Sequence, residues 1–125
     1  MFRTTLAFGL GLSLILAGCT TGMSGQQIRA QRAEVFKGPA PINEVQACLA
    51  DRLGSEANVT TYPAGAVSEI AVGRTSTLGE FGYAYLVSLS KTADGTQVTL
   101  RSAGIWFPHM PEDRLRSEVR QCLKT

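Results

Sequence analysis

The stretch Phe81-Gly82-Tyr83-Ala84-Tyr85-Leu86-Val87-Ser88-Leu89-Ser90 decides the fold. Tyr83, Tyr85, Val87 and Leu89 alternate with Ala84, Leu86, Ser88 and Ser90, so one face is aromatic and aliphatic and the other small and partly polar. A period of two with such an asymmetry predicts an antiparallel strand buried on one side. Outward from it, 59–62, 66–72 and 96–102 repeat the same alternation. Pro63-Ala64-Gly65 and Ala93-Asp94-Gly95 supply turns between neighbours, and 73–80 is a longer connection. Three or four strands therefore form a meander of hairpins.

On both flanks the period changes to that of a helix. Ile42, Val45, Cys48, Leu49 and Leu53 recur at helical spacing between Pro41 and Gly54, and Leu115, Val119, Cys122 and Leu123 do so after Pro111. The order helix, strands, helix indicates an α+β two-layer sandwich with both helices on one face of the sheet. The chain has 125 residues, 44% of them hydrophobic, with mean hydropathy +0.05, which suits one small domain. Twelve basic and ten acidic residues leave a net charge of +2 with no run of like charges. That balance gives no field for gripping a phosphate backbone, so nucleic acid is not an expected partner.

The first 18 residues read as a targeting signal. Arg3 precedes an uncharged run from Leu6 to Gly18, which is shorter than the roughly 17 residues a membrane-spanning helix needs. The run ends in Leu16-Ala17-Gly18-Cys19, where small side chains stand directly before a cysteine. These four residues fill the four positions of the lipobox and resemble that of bacterial lipoproteins. The resemblance implies a diacylglyceryl thioether on Cys19, cleavage between Gly18 and Cys19, and acylation of the new amino terminus. Two or three acyl chains, palmitate among them, give stable membrane residence where one is marginal. Thr20 stands where an aspartate would signal inner-membrane retention, so the periplasmic face of the outer membrane is the expected location in a Gram-negative cell.

If Cys19 carries lipid, Cys48 and Cys122 remain as an even pair in a compartment where disulfides persist. Each lies in the frame Glu-Val-x-x-Cys-Leu on an apolar helical stripe. Two helices packed side by side would bring the sulfurs together; the alternative is two buried free thiols. Between anchor and domain, 19–41 is rich in Gly, Thr, Ser, Gln and Pro. It reads as a flexible tether spanning on the order of 25 Å, with room for a short helix from Gln26 to Phe36 behind a weak capping box at Ser24. Arg29, Arg32 and Lys37 on it are either solvated or near head groups. The domain proper is then 42–125.

Chemistry is sparse. His109 is the single histidine, no Gly-x-Ser-x-Gly elbow presents Ser68, Ser76, Ser88 or Ser102, and one imidazole with two cysteines makes no zinc set. His109 with Met110 offers copper two ligands, which define no site. Glu112 and Asp113 suit the start of the last helix better than acid-base work. Gly79-Glu80-Phe81-Gly82 opens a strand and does not cradle phosphate. The sequence thus points to a non-enzymatic protein without cofactor or metal.

For binding, Trp106 and Phe107 before Pro108 are the contact candidates, weighed against closure of the core edge. Arg114, Arg116, Arg120 and Lys124 form a modest positive surface suited to an anionic envelope polymer or a protein. The pattern as a whole resembles many small bacterial envelope lipoproteins, a likeness that carries no activity with it. A lipid-anchored domain making protein or envelope contacts is the expectation. Its alternatives are an inhibitor or immunity-type lipoprotein, and a small-ligand module with a pocket near Tyr83 and Tyr85.

Overall fold

The computed structural model describes residues 22–61 and 67–124. The lipobox, with Gly18 and Cys19, and the turn at Pro63-Ala64-Gly65 lie outside the described residues. Helix α1 (Gly25–Arg29) leads to strand β1 (Glu34–Gly38), helix α2 (Ile42–Leu53) and a 3-10 turn. Strands β2 (Ala57–Thr61), β3 (Val67–Thr75), β4 (Phe81–Thr92) and β5 (Gly95–Ser102) follow, and helix α3 (Glu112–Cys122) ends the chain. All five strands pair antiparallel in the order β1-β5-β4-β3-β2. The fold is α+β. β2 to β5 are the meander, while β1 adds a fifth strand on the far side of β5.

The two long helices and the four strands of the meander are present, and their periodicity explains the core. The short helix expected from Gln26 to Phe36 is corrected, since α1 stops at Arg29 and Phe36 lies in β1. Val45, Leu49 and Leu53 of α2 and Leu115, Val119 and Cys122 of α3 bury one stripe each against Ile70, Val72, Tyr85, Val87, Leu89, Val98 and Leu100. These strand residues share one face of the sheet, so α2 and α3 form a single layer over it. Gly54 ends α2 at φ +66, a left-handed conformation that a glycine adopts without steric cost. β3 continues to Thr75, which reduces the long connection expected over 73–80 to the turn at residues 76–80.

The tether reading of 19–41 is corrected from Gly22 onward. Ser24 and Gln27 form a capping box that starts α1, and Ile28 is fully buried. Ile28 and Leu86 are both buried yet belong to no part of the main core, because Leu86 points to the opposite side of β4 from Tyr85 and Val87. α1 therefore covers the second face of the sheet, and the layout has two helices on one side and a short third on the other. β1 pairs Phe36 with Val98, and Ala40 behind it is buried, its carbonyl accepting a 2.7 Å bond from the Thr96 hydroxyl. A run rich in small and polar residues folds here because the sheet supplies a backbone ladder and Leu86 supplies an apolar seat. Ile28→Ala is expected to lower the unfolding free energy by about 2 kcal/mol, at the low end for such truncations since a short helix can settle. Urea denaturation measures it, and no change would return this segment to a tether.

One further correction concerns the deciding strand. The register shifts between Val72 and Gly73, so that Val72 faces Tyr85 while Gly73 faces Tyr83. Ala84 is the extra residue of a bulge, which breaks the alternation and turns Tyr83 away from the face of Tyr85. The Tyr83 ring lies against Gly25 of α1 and meets Phe81 edge-on at 4.9 Å.

Candidate functional site

The covalent frame comes first. Cys48 and Cys122 are bonded, with Cα atoms 5.7 Å apart, and join α2 to α3 across 74 residues of sequence. Around the bond, Arg52 donates to Glu118 (2.6 Å) and Gln121 (2.7 Å) of α3. The helix pair is thus held by a bond, a polar bridge and its buried stripe.

The segment after β5 is built by alternation. The Ala103 amide donates to the Ala84 carbonyl (2.9 Å), and Gly104 turns the chain at φ +68. Ile105 then packs against the core, Trp106 points outward at 88% exposure, and Phe107 returns to the core at 7%. Phe107 meets Tyr85 edge-on at 6.2 Å and carries the Arg74 guanidinium over its ring at 5.7 Å. The two contact candidates therefore separate: Phe107 closes the core edge and Trp106 is displayed. Each inward neighbour acts as a peg that holds the tryptophan out.

Tyr85 fixes the floor of this loop. Its hydroxyl donates to the Met110 carbonyl at 2.8 Å in a buried setting. Burial pushes the phenol above its ordinary range, the nearby Glu112 carboxylate raises it further, and Arg116 opposes both. The folded state therefore holds this proton more tightly than the unfolded chain does, so stability from this source is complete below about pH 10 and falls as pH rises through the folded value. Tyr85→Phe should cost about 1 kcal/mol at pH 8 through the lost bond. In urea titrations the gap between wild type and variant is expected to narrow from pH 9 to pH 11; a constant gap contradicts the assignment. Tyr85 lines a cavity of about 260 Å³ with Ile105, Trp106, Phe107, Pro111 and Glu112, whereas the Tyr83 ring lies on the other face of the sheet against Gly25.

A second displayed residue was not singled out from sequence. Leu78, at the tip of the β3–β4 turn, is 88% exposed. The turn is stiff: the Ser76 amide donates to the Glu80 carbonyl (2.7 Å), Gly79 adopts φ +83, and the Ser76 hydroxyl accepts from the Leu78 and Glu80 amides. Turn residues are usually polar, and a leucine there offered no periodicity by which to mark it.

The positive surface expected on the last helix is largely engaged. Arg116 donates to Glu34 (2.7 Å), Glu112 (2.6 Å) and Asp113 (3.1 Å), and its guanidinium is held above its already high value first by the Glu34 bond. Arg120 lies over the Phe36 ring at 5.4 Å, and Arg114 stands 4.0 Å from Glu118. Arg116 lines a cleft of about 600 Å³ with Arg32, Glu34, Val35, Ser102 and Glu112. Three carboxylates around one cation make the cleft a brace between β1 and α3. Arg29, read as solvated or near head groups, is bonded to Glu69 of β3.

His109 is exposed beside the Phe107 ring, with centroids 6.0 Å apart, and the Ser102 hydroxyl faces Glu112 at 3.3 Å. Ser68 is buried on the core face of β3. Among the described residues no group of three or more His, Cys, Asp or Glu side chains gathers to hold a metal ion. No helix among them is long and apolar enough to cross a membrane.

The N-terminal lead joins the sheet at the same end as these loops. Met23 and Tyr83 exchange backbone bonds of 3.0 and 2.8 Å, taking up the side of β4 that β5 vacates after Ser102. A Cβ on Gly22 would stand 2.5 Å from the Gly82 carbonyl carbon, so only glycine fits this approach. No protein family, curated protein or solved structure matches the chain.

Proposed function

We propose that this chain is a lipid-anchored protein of the bacterial cell envelope whose small non-catalytic domain works through surface contacts. The observation that carries the reading is Leu16-Ala17-Gly18-Cys19 at the end of an uncharged run behind Arg3. Acyl chains on Cys19 would hold the protein at the periplasmic face of the outer membrane. The Cys48–Cys122 bond accords with an oxidising compartment, where such bonds persist. Within the domain, Trp106 is the contact residue, since a large aromatic held outward between half-buried Ile105 and buried Phe107 is suited to an interface.

The test is an intact mass of protein extracted from native membranes, without reduction and after alkylation of free thiols. A mass for residues 19–125 plus two or three acyl chains, with no alkylation, supports the reading. A lipid-free mass removes the anchor, and alkylated Cys48 and Cys122 remove the oxidised compartment.

A further inference from the structure

We propose that Leu78 and Trp106 insert into the headgroup boundary of the bilayer that carries the Cys19 lipid, seating the domain directly on the membrane. The inference rests on the lipid-anchored reading and names the partner of the same contact residue. Three chain steps separate Cys19 from Gly22, and at about 3.6 Å each they reach no more than roughly 11 Å. Gly22 and Met23 are already locked against Gly82 and Tyr83. An anchored chain has no slack with which to stand its domain off the lipid.

The end of the sheet that receives Met23 is thereby the end nearest the bilayer. There β3 passes into β4, with Thr75 paired to Phe81, and β5 leaves β4 after the Tyr85–Ser102 pair. Leu78 is the tip of the first connection and Trp106 the crest of the second. They are the two most exposed large apolar residues among those described, at 88% each, and both leave the anchored end. Apart from Glu80 at the foot of the first turn, residues 76–80 and 104–108 carry no charge, and an acidic side chain disfavours an anionic head group. An apolar contact with any bilayer therefore fits better than recognition of such a group. Indole suits the interfacial layer because its body is apolar and its N–H finds water or phosphate oxygen.

Trp106 is the sole tryptophan, which makes its fluorescence a direct reporter. Protein extracted from its native membrane is reconstituted into phosphatidylcholine vesicles, with or without brominated acyl chains, and floated on a density gradient. The expected result is that the protein floats, brominated lipid quenches the emission and aqueous iodide does not. Leu78→Ser, at an exposed position that leaves the fold intact, should reduce the bromine quenching. Protein that floats but remains quenched by iodide and not by bromine overturns the seating alone, and points Trp106 at a protein. Protein that does not float overturns the anchor, and the seating with it.

Discussion

Replacing Cys48 and Cys122 together by alanine is expected to lower the unfolding free energy by about 4 kcal/mol. The bond spans 74 residues, and closing a loop of that length removes conformations mainly from the unfolded chain. For a small domain with a total stability of roughly 5–15 kcal/mol, that is a large share. Guanidinium denaturation with and without a thiol reductant measures it in two independent ways. Wild type should lose its midpoint advantage on reduction, and the double variant should not respond. Equal midpoints for all four samples would mean that α2 and α3 stay together in the unfolded chain without the bond.

The second large effect is expected at Gly73. A Cβ there would lie 1.9 Å from the Gly82 carbonyl oxygen and 3.0 Å from its carbon, and both are backbone atoms of the paired strand. Neither can swing aside as a side chain would. Gly73→Ala should therefore cost about 3 kcal/mol by forcing β3 and β4 apart at the bulge. Gly79→Ala in the same hairpin is the control, since φ +83 carries a strain of about 1 kcal/mol while no atom lies within 4 Å of the added carbon. Thermal unfolding of the pair separates crowding from backbone strain. Similar losses at both positions would contradict the crowding argument.

Long, strongly periodic segments were legible in the sequence. The frame Glu-Val-x-x-Cys-Leu marked both α2 and α3 and, with them, the residues that the disulfide joins. β2 to β5 followed from alternation and local turns. β1 did not, because its five residues pair with β5 some sixty positions later and no nearby turn announces a partner. The Ser24 cap marked the start of α1, but the helix expected to run to Phe36 stops at Arg29 because the chain beyond it pairs with β5, and the buried seat that stabilises α1 belongs to Leu86, far along the chain.

The bulge at Ala84 is a property of two strands in register, so alternation along one of them placed Tyr83 on the wrong face. Among the candidate contacts, Trp106 and Phe107 are alike in composition and adjacent in sequence. What separates them is the parity of a loop whose pegs, Ile105 and Phe107, are defined only once the core exists. The carboxylates that occupy Arg116 come partly from β1, which explains why the last helix looked more basic in sequence than it is in the fold.

The disulfide also decides how the domain behaves as a mechanical link. Tension applied between Gly22 and Lys124 passes from Cys48 to Cys122 through the sulfur bond and bypasses every residue between them. Only the lead into α2 and the short tail after α3 can be drawn out, roughly 30 residues or about 100 Å of contour. Met23 and β1 must first be pulled off β4 and β5; the meander then hangs beside the load line as a closed loop, ready to refold when the tension is released. Pulled from its two ends, this domain yields little length.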